Sequence, residues 1–224
     1  MRTSQKAADS PTIWQRLWNL LLRVTKMELR IYESIWRIIA RKPRIPSDAV
    51  GFKYHRPVLT VLIVLIVLSA IEIPIIDAIV HRWTPIRIGF LILGIWGVTW
   101  MLGLLFAFFT RPHVVGPNGI IVREGLEVEL QISWQDIQSV GFFEQRSGRV
   151  SGEPKTPKVF REDDKSVMAI RISDETNLEI TLERPLELSL PGLRPKGGAH
   201  TCNIVRFWAD DPRSLLEEVR EHIG

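Results

Sequence analysis

The stretch Val58–Val80, VLTVLIVLIVLSAIEIPIIDAIV, is followed after seven residues by a second apolar stretch, Ile88–Phe109, IGFLILGIWGVTWMLGLLFAFF. A helix needs about 20 apolar residues to cross the core of a bilayer, and both stretches reach that length. An isolated strand would leave its backbone groups unpaired in lipid, so helices are the expected structure. Because the connection is short and polar, we predict an antiparallel transmembrane hairpin, 58–80 and 88–109, within residues 57–110.

Basic residues flank the hairpin unevenly. Several precede the first stretch, and fewer lie between the two: Arg41, Lys42, Arg44, Lys53 and Arg56 against Arg82 and Arg87. Lys and Arg close to the ends of a span favour the cytoplasmic side. We therefore expect a multi-pass protein with its N- and C-termini in the cytoplasm, and Arg111 after the second stretch agrees.

Charge separates the chain into three regions. Residues 1–56 carry 12 basic and 4 acidic side chains, whereas residues 111–224 carry 15 basic and 19 acidic ones. The basic N-terminal region suits an anionic membrane surface, and the mildly acidic C-terminal region argues against a nucleic-acid partner. Cys202 is the only cysteine, so an intramolecular disulfide is excluded.

Two carboxylates interrupt the first apolar stretch. Glu72 lies somewhat past its middle, and an ionised acid at the centre of a membrane helix costs about 2.5–3.5 kcal/mol on insertion scales. One hypothesis makes Glu72, and less readily Asp77, an intramembrane functional site that accepts a proton or pairs with a partner's cation. The alternative is a shorter span that leaves both acids at the outer surface, where Arg82 and Arg87 neutralise them.

Small residues in the second stretch predict close helix packing. Gly103 and Ala107 are four residues apart, a spacing that allows another backbone to approach. The packing partner is either the first helix of the hairpin or another subunit.

Residues 1–56 predict a basic amphipathic helix that ends before Pro43, and then a linker. Apolar and basic residues recur on opposite faces, which is typical of a helix lying in the membrane plane. The alternatives are packing against the soluble domain or a partner helix, and a calmodulin-type target. The residues expected at the membrane interface are Trp14, Trp18, Arg23, Lys26, Arg30 and Trp36, with Trp83 in the hairpin loop.

Residues 111–224 predict a mainly β domain. Short alternating segments indicate six or seven strands, with a hairpin joining 167–173 to 178–182. An Asp cap, Pro212 and apolar spacing predict a C-terminal helix. We expect a small β-barrel or sandwich covered by that helix.

The β region resembles the bacterial PH-like domain, a module that often follows a pair of membrane helices in small bacterial membrane proteins. The resemblance lies in four motifs: Asn118-Gly119-Ile120, Gly125, Ser133-Trp134-Gln135-Asp136-Ile137 and Asp211-Pro212. It implies a PH-type barrel, a bacterial cytoplasmic (inner) membrane location and mostly structural roles for these residues.

No pattern of side chains predicts catalysis. The five histidines are scattered, and His200 with Cys202 would need a further zinc ligand. We expect no catalytic residue, cofactor or metal. The leading hypothesis is a membrane-anchored, non-enzymatic module that contacts the lipid bilayer and binds a protein partner, associates with itself or assists assembly. The alternative is a subunit of a larger membrane enzyme or transporter in which Glu72 acts inside the bilayer.

Overall fold

The computed structural model of the chain describes residues 13–40, 44–143, 158–192 and 197–223. Four helices lie in this part: α1 (Ile13–Ile39), α2 (Arg56–Ile79), α3 (Thr84–Thr110) and α4 (Pro212–Ile223). The sequence predicts all four, and α2 and α3 form an antiparallel pair that is long and apolar enough to cross a membrane. None of the residues of α2 is buried within the protein.

Nine strands in the described residues form two sheets, which confirms the mainly β domain. The first sheet has the order β1 (Val50–Phe52), β2 (His113–Gly116), β3 (Gly119–Glu124) and β4 (Val128–Ser133). The second has the order β5 (Ile137–Phe142), β8 (Leu178–Leu190), β9 (Gly198–Phe207), β7 (Lys165–Ile170) and β6 (Val159–Glu162). Within the described ranges the sheets stay separate, so the closed barrel that the resemblance implies is wrong and the two-sheet alternative describes the domain.

Apolar side chains from both sheets meet in one core, and α4 covers it. Val122 and Leu130 come from the first sheet, Ile180 and Phe207 from the second, and all four are buried. Leu215, Leu216 and Val219 of α4 are buried in the same cluster. A single turn of 3₁₀ helix, Trp134–Asp136, joins the two sheets.

The turn between β2 and β3 requires glycine. Gly116 and Gly119 are paired across a two-residue loop, and Gly119 has a φ of +136°. A Cβ atom at Gly119 would lie 2.0 Å from the carbonyl oxygen of Ile132. Residues with a Cβ are strongly disfavoured there, which explains the Asn118-Gly119 motif in physical terms.

The hairpin that the sequence predicts between 167–173 and 178–182 is wrong. A tight turn does exist, because Ser173 and Asp174 adopt positive φ and Ile172 forms a bridge with Glu175. The two strands then diverge, and β9 lies between them, antiparallel to β8 and parallel to β7. Local turn residues indicate where the chain reverses, but not which strand pairs with which.

The segment that the sequence assigns to a linker contributes to the first sheet. β1 pairs with β2, so that Val50 lies opposite Val115 and Phe52 opposite His113. The chain before the hairpin and the chain after it are therefore joined by backbone hydrogen bonds. This pairing places the ends of α2 and α3 directly beside the β domain.

Candidate functional site

A cavity of about 250 Å³ lies between α2 and α3. The side chains that give it polar character are Ser69, Glu72, Asp77 and Arg87, and the rest of its wall is mostly apolar. A Cβ atom built on Gly94 would lie 2.7 Å from Ile73, whereas one built on Gly97 meets nothing within 4 Å. The hairpin is thus closely packed at Gly94 and open beside Gly97.

Asp77 and Arg87 form an ion pair across the hairpin. The guanidinium of Arg87 donates from Nε to Oδ1 at 2.5 Å and from Nη2 to Oδ2 at 2.9 Å. This two-point geometry is the strongest form of an Arg–carboxylate contact. It ties the last turns of α2 to the first turn of α3, so Asp77 has a structural partner.

Glu72 lines the same cavity without such a partner. It precedes Asp77 by five residues, or about 8 Å along the helix, and its side chain is exposed. Among the described residues, none forms a hydrogen bond or ion pair with its carboxylate. The sequence allows an arginine to neutralise either acid. Within the described residues, Asp77 has such an arginine and Glu72 does not.

Gly103 and Ala107 pack against α1. A Cβ atom on Gly103 would lie 2.1 Å from Cγ2 of Ile31 and 3.3 Å from its carbonyl oxygen. Ile31, Ala107 and Leu126 form a buried cluster, with Trp100 and Leu104 packed against it. The sequence allows α2 or another subunit as the partner of this small-residue face, but the structure places the N-terminal helix α1 there.

Most of the residues predicted at the membrane interface are exposed. The exposed fractions of Trp14, Trp18, Trp36 and Trp83 are 81%, 63%, 67% and 65%. Lys26 is exposed as well. Arg30 is instead half-buried and donates to the carbonyl of Leu126 at 2.9 Å, and the side chain of Arg23 lies outside the described residues.

The start of α2 is bound to the β domain through Asp210. The carboxylate of Asp210 accepts hydrogen bonds from the backbone N–H groups of His55 and Arg56 at 3.1 Å, and its own N–H donates to the carbonyl of Lys53 at 2.9 Å. Trp208 donates its indole N–H to the same carboxylate at 3.2 Å. Asp210 therefore caps a helix that begins 154 residues earlier in the chain.

Tyr54 and His113 fill the space between the hairpin and the two sheets. Their rings stack with centroids 4.5 Å apart, Phe108 of α3 lies 5.6 Å from Tyr54, and Phe207 of β9 lies 5.1 Å from His113. The Tyr54 hydroxyl accepts a hydrogen bond from the N–H of Gly125 at 3.1 Å. Burial raises the pKa of Tyr54 far above its ordinary value.

The sequence gives only a partial signal for this junction. Asp210 belongs to the acidic pair before α4, and the residue that caps α4 is its neighbour Asp211, which accepts from the N–H of Ser214 at 3.2 Å. Tyr54 and His113 carry no motif at all. One carboxylate is enough to cap α4. The second acid beside it was therefore the signal in the sequence that Asp210 has another role.

Histidine and cysteine do not converge in the described residues, where no group of three His, Cys, Asp or Glu side chains is arranged to hold a metal ion. Cys202 is buried in the core, and burial raises the pKa of its thiol. The ring of His200 lies against the carbonyl of Gly197 at 3.1 Å.

These features define a chain in which two apolar helices, able to cross a membrane by length and composition, are attached to a two-sheet β domain. Comparison with protein-family models, curated proteins and solved structures gave no match.

Proposed function

We propose that this chain is a non-enzymatic assembly module of the bacterial cytoplasmic membrane. In this proposal α2 and α3 cross the bilayer, both termini lie in the cytoplasm, and the β domain is PH-like and binds a protein partner. The Asn118-Gly119 turn and the helix α4 over the sheets support the PH-like assignment.

The junction at Asp210 is the observation that carries the proposal. A domain on a free linker would sample many positions above the membrane. Here the β1–β2 pairing and the Asp210 hydrogen bonds attach the domain at the point where the hairpin begins. A partner that binds the domain would consequently be held at a fixed place relative to the membrane, which is what assembly of a membrane complex requires.

The depth at which α1 crosses α3 supports a position in the membrane plane. Gly103 follows Thr84 by 19 residues, or about 29 Å at 1.5 Å per residue. The hydrocarbon core is about 30 Å thick. A span that starts at Thr84 would therefore bring Gly103, and α1 with it, to the cytoplasmic surface. The exposed tryptophans of α1 suit that interface.

Single-cysteine labelling tests the membrane part of the proposal. In a Cys202→Ala background, Arg82→Cys should react with an impermeant maleimide in intact cells. Ser214→Cys in α4 should react only after the membrane is opened. Labelling of Ser214→Cys in intact cells would contradict the proposed orientation, and extraction of the chain by alkaline carbonate would contradict membrane integration.

A second candidate function rests on Glu72. Its carboxylate lines the hairpin cavity without an ion-pair partner among the described residues, whereas Asp77 beside it has one. In this alternative the chain is a subunit of a larger membrane enzyme or transporter, and Glu72 binds a proton or a partner's cation inside the bilayer.

Photo-crosslinking separates the two candidates. A photo-reactive residue at Phe142, which is 56% exposed on β5, should capture a protein in cells. A photo-reactive residue at the exposed Glu217 of α4 is the matched control and should not capture it. The assembly module predicts that capture persists in Glu72→Gln and that this variant complements a deletion strain fully. Loss of complementation with normal membrane levels would favour the alternative.

A further inference from the structure

Four arginines line a narrow crevice where α1, the end of α3 and the first sheet meet. They come from separate parts of the chain, two from α1, one from the segment before β1 and one from the residue after α3: Arg30, Arg37, Arg44 and Arg111. The other lining residues are Glu33, Ser34, Thr110 and Leu126.

The positive charge of the crevice exceeds its negative charge. Arg37 pairs with Glu33 at 2.7 Å, and Arg111 pairs with Glu129, outside the crevice, at 2.9 Å. In the part of the chain that the structure describes, no carboxylate pairs with Arg30 or Arg44. Arg37 lowers the pKa of Glu33, and Arg44 and Arg111 lower it further, so Glu33 remains an anion.

Arg111 is fixed at the back of the crevice. Its side chain is 7% exposed, and its Nη1 donates to the carbonyl of Leu126, which also accepts from Arg30. Its buried Nε has no hydrogen-bond partner. Burial lowers the pKa of Arg111, although the group stays charged at neutral pH, and an added anion would relieve this cost.

The size of the crevice restricts what can enter. It contains about 10 Å³ of free space, which is roughly the room that one water-sized atom needs. A ring or an acyl chain is too large, whereas a single oxyanion oxygen fits while the rest of its group stays outside. Arginine forks match the oxygens of phosphate in geometry as well as in charge.

We propose that this crevice binds the phosphate group of an anionic phospholipid from the cytoplasmic leaflet. Thr110 follows Thr84 by 26 residues, or about 39 Å along the helix, which at the average tilt of about 20° is about 37 Å of depth. With Thr84 at the outer edge of the hydrocarbon core of about 30 Å, Thr110 lies about 7 Å beyond the core, within the headgroup layer of about 5–7.5 Å on that side. The crevice therefore lies at headgroup level, where basic pockets between membrane helices bind anionic lipids. This inference rests on the membrane placement proposed above, and a bound lipid would join α1 to α3.

Native mass spectrometry of the full chain in detergent tests the site. The probes are phosphatidylglycerol, phosphatidylcholine with the same acyl chains, and inorganic phosphate. The variant is Arg30→Gln combined with Arg44→Gln, which leaves the buried Arg111 in place. The matched control is Arg213→Gln with Arg220→Gln, which removes the same charge from exposed positions of α4.

The wild type and the α4 control should bind phosphatidylglycerol about tenfold more tightly than the double crevice variant, a ratio expected for the loss of charge-assisted hydrogen bonds. They should also prefer it to phosphatidylcholine, because the choline cation of that lipid offsets the charge of its own phosphate and would be repelled by the unpaired arginines. Arginine-dependent binding of phosphate alone would support the anion site and assign the headgroup's phosphate as the recognised part. Equal binding by wild type and crevice variant, with each measured by circular dichroism to be folded, overturns the inference.

The two proposals fail in different ways. If the chain integrates into membranes but the crevice variant retains its lipid, only the headgroup site is wrong. If carbonate extracts the chain, the membrane placement and the lipid assignment are both wrong.

Discussion

His113 is enclosed between the end of α3 and the two sheets, and both of its ring nitrogens have backbone partners. The N–H of Arg123 donates to Nδ1 at 3.0 Å, so that nitrogen must be the acceptor. Nε2 lies 2.8 Å from the carbonyl of Trp208 and must therefore carry the proton. The structure thus fixes one neutral tautomer, and burial lowers the pKa of His113 to about 4.

Replacing His113 should reduce the sensitivity of folding to acid. The unfolded histidine takes up its proton near pH 6.5, whereas the folded one does so only near pH 4. The contribution of His113 to stability should therefore be constant above about pH 6.5 and fall between these values by about 3 kcal/mol, at 1.36 kcal/mol per pKa unit. His113→Gln, although less stable at pH 7, should lack this fall.

Chemical denaturation in detergent at pH 7 and pH 4.5 measures the difference. His81→Gln, at an exposed position in the hairpin loop, is the control and should lose stability as the wild type does. An identical loss in His113→Gln would show that another group is responsible.

At the level of the element, the contact between α1 and α3 depends on the absence of one side chain. The α-carbon of Gly103 lies against Ile31, which is 1% exposed, and Ala107 is fully buried beside them. Elsewhere α1 leaves large apolar side chains exposed, among them Trp14, Leu20 and Ile39. Amphipathic periodicity predicts α1, but only the close approach of α1 and α3 identifies Gly103 as the residue against which α1 packs.

Gly103→Ala should weaken this contact, because the new methyl group would lie 2.1 Å from Ile31 and 3.3 Å from a backbone oxygen. Overpacking of this kind costs about 1–3 kcal/mol. Gly97→Ala is the matched control, since its methyl group meets only open space in the hairpin cavity. The distribution of distances between spin labels on α1 and α3 should broaden in Gly103→Ala but not in Gly97→Ala. Equal distributions in the two variants would contradict a role for Gly103 in this contact.

For the molecule as a whole, the attachment of the β domain to the hairpin matters most. Asp210 binds the first N–H groups of α2, Tyr54 holds the turn at Gly125, and β1 joins the first sheet. These contacts connect residues that are far apart in the sequence. They join the apolar hairpin and the more polar β domain into one body.

Asp210→Ala should loosen the start of α2 while leaving α4 intact. It removes the acceptor for the N–H groups of His55 and Arg56, a cap worth about 1–2 kcal/mol. Hydrogen exchange at these two amides should accelerate by about tenfold. Asp211→Ala, which removes the cap of α4 instead, should leave them slow, and similar acceleration in both variants would show that Asp210 has no special role.

Local sequence patterns were enough to predict the helices and the β character of the C-terminal region, because apolar runs, amphipathic periods, caps and alternation depend only on neighbouring residues. It also identified Glu72 and Asp77 as unusual. The packing of the folded chain shows that Asp77, and not Glu72, pairs with Arg87, that Gly103 contacts α1, and that β9 lies between β7 and β8. The choice of Asp77 depends on how the two helices of the hairpin face each other. The other two depend on which distant surfaces fit together, and neither spacing nor composition encodes that fit.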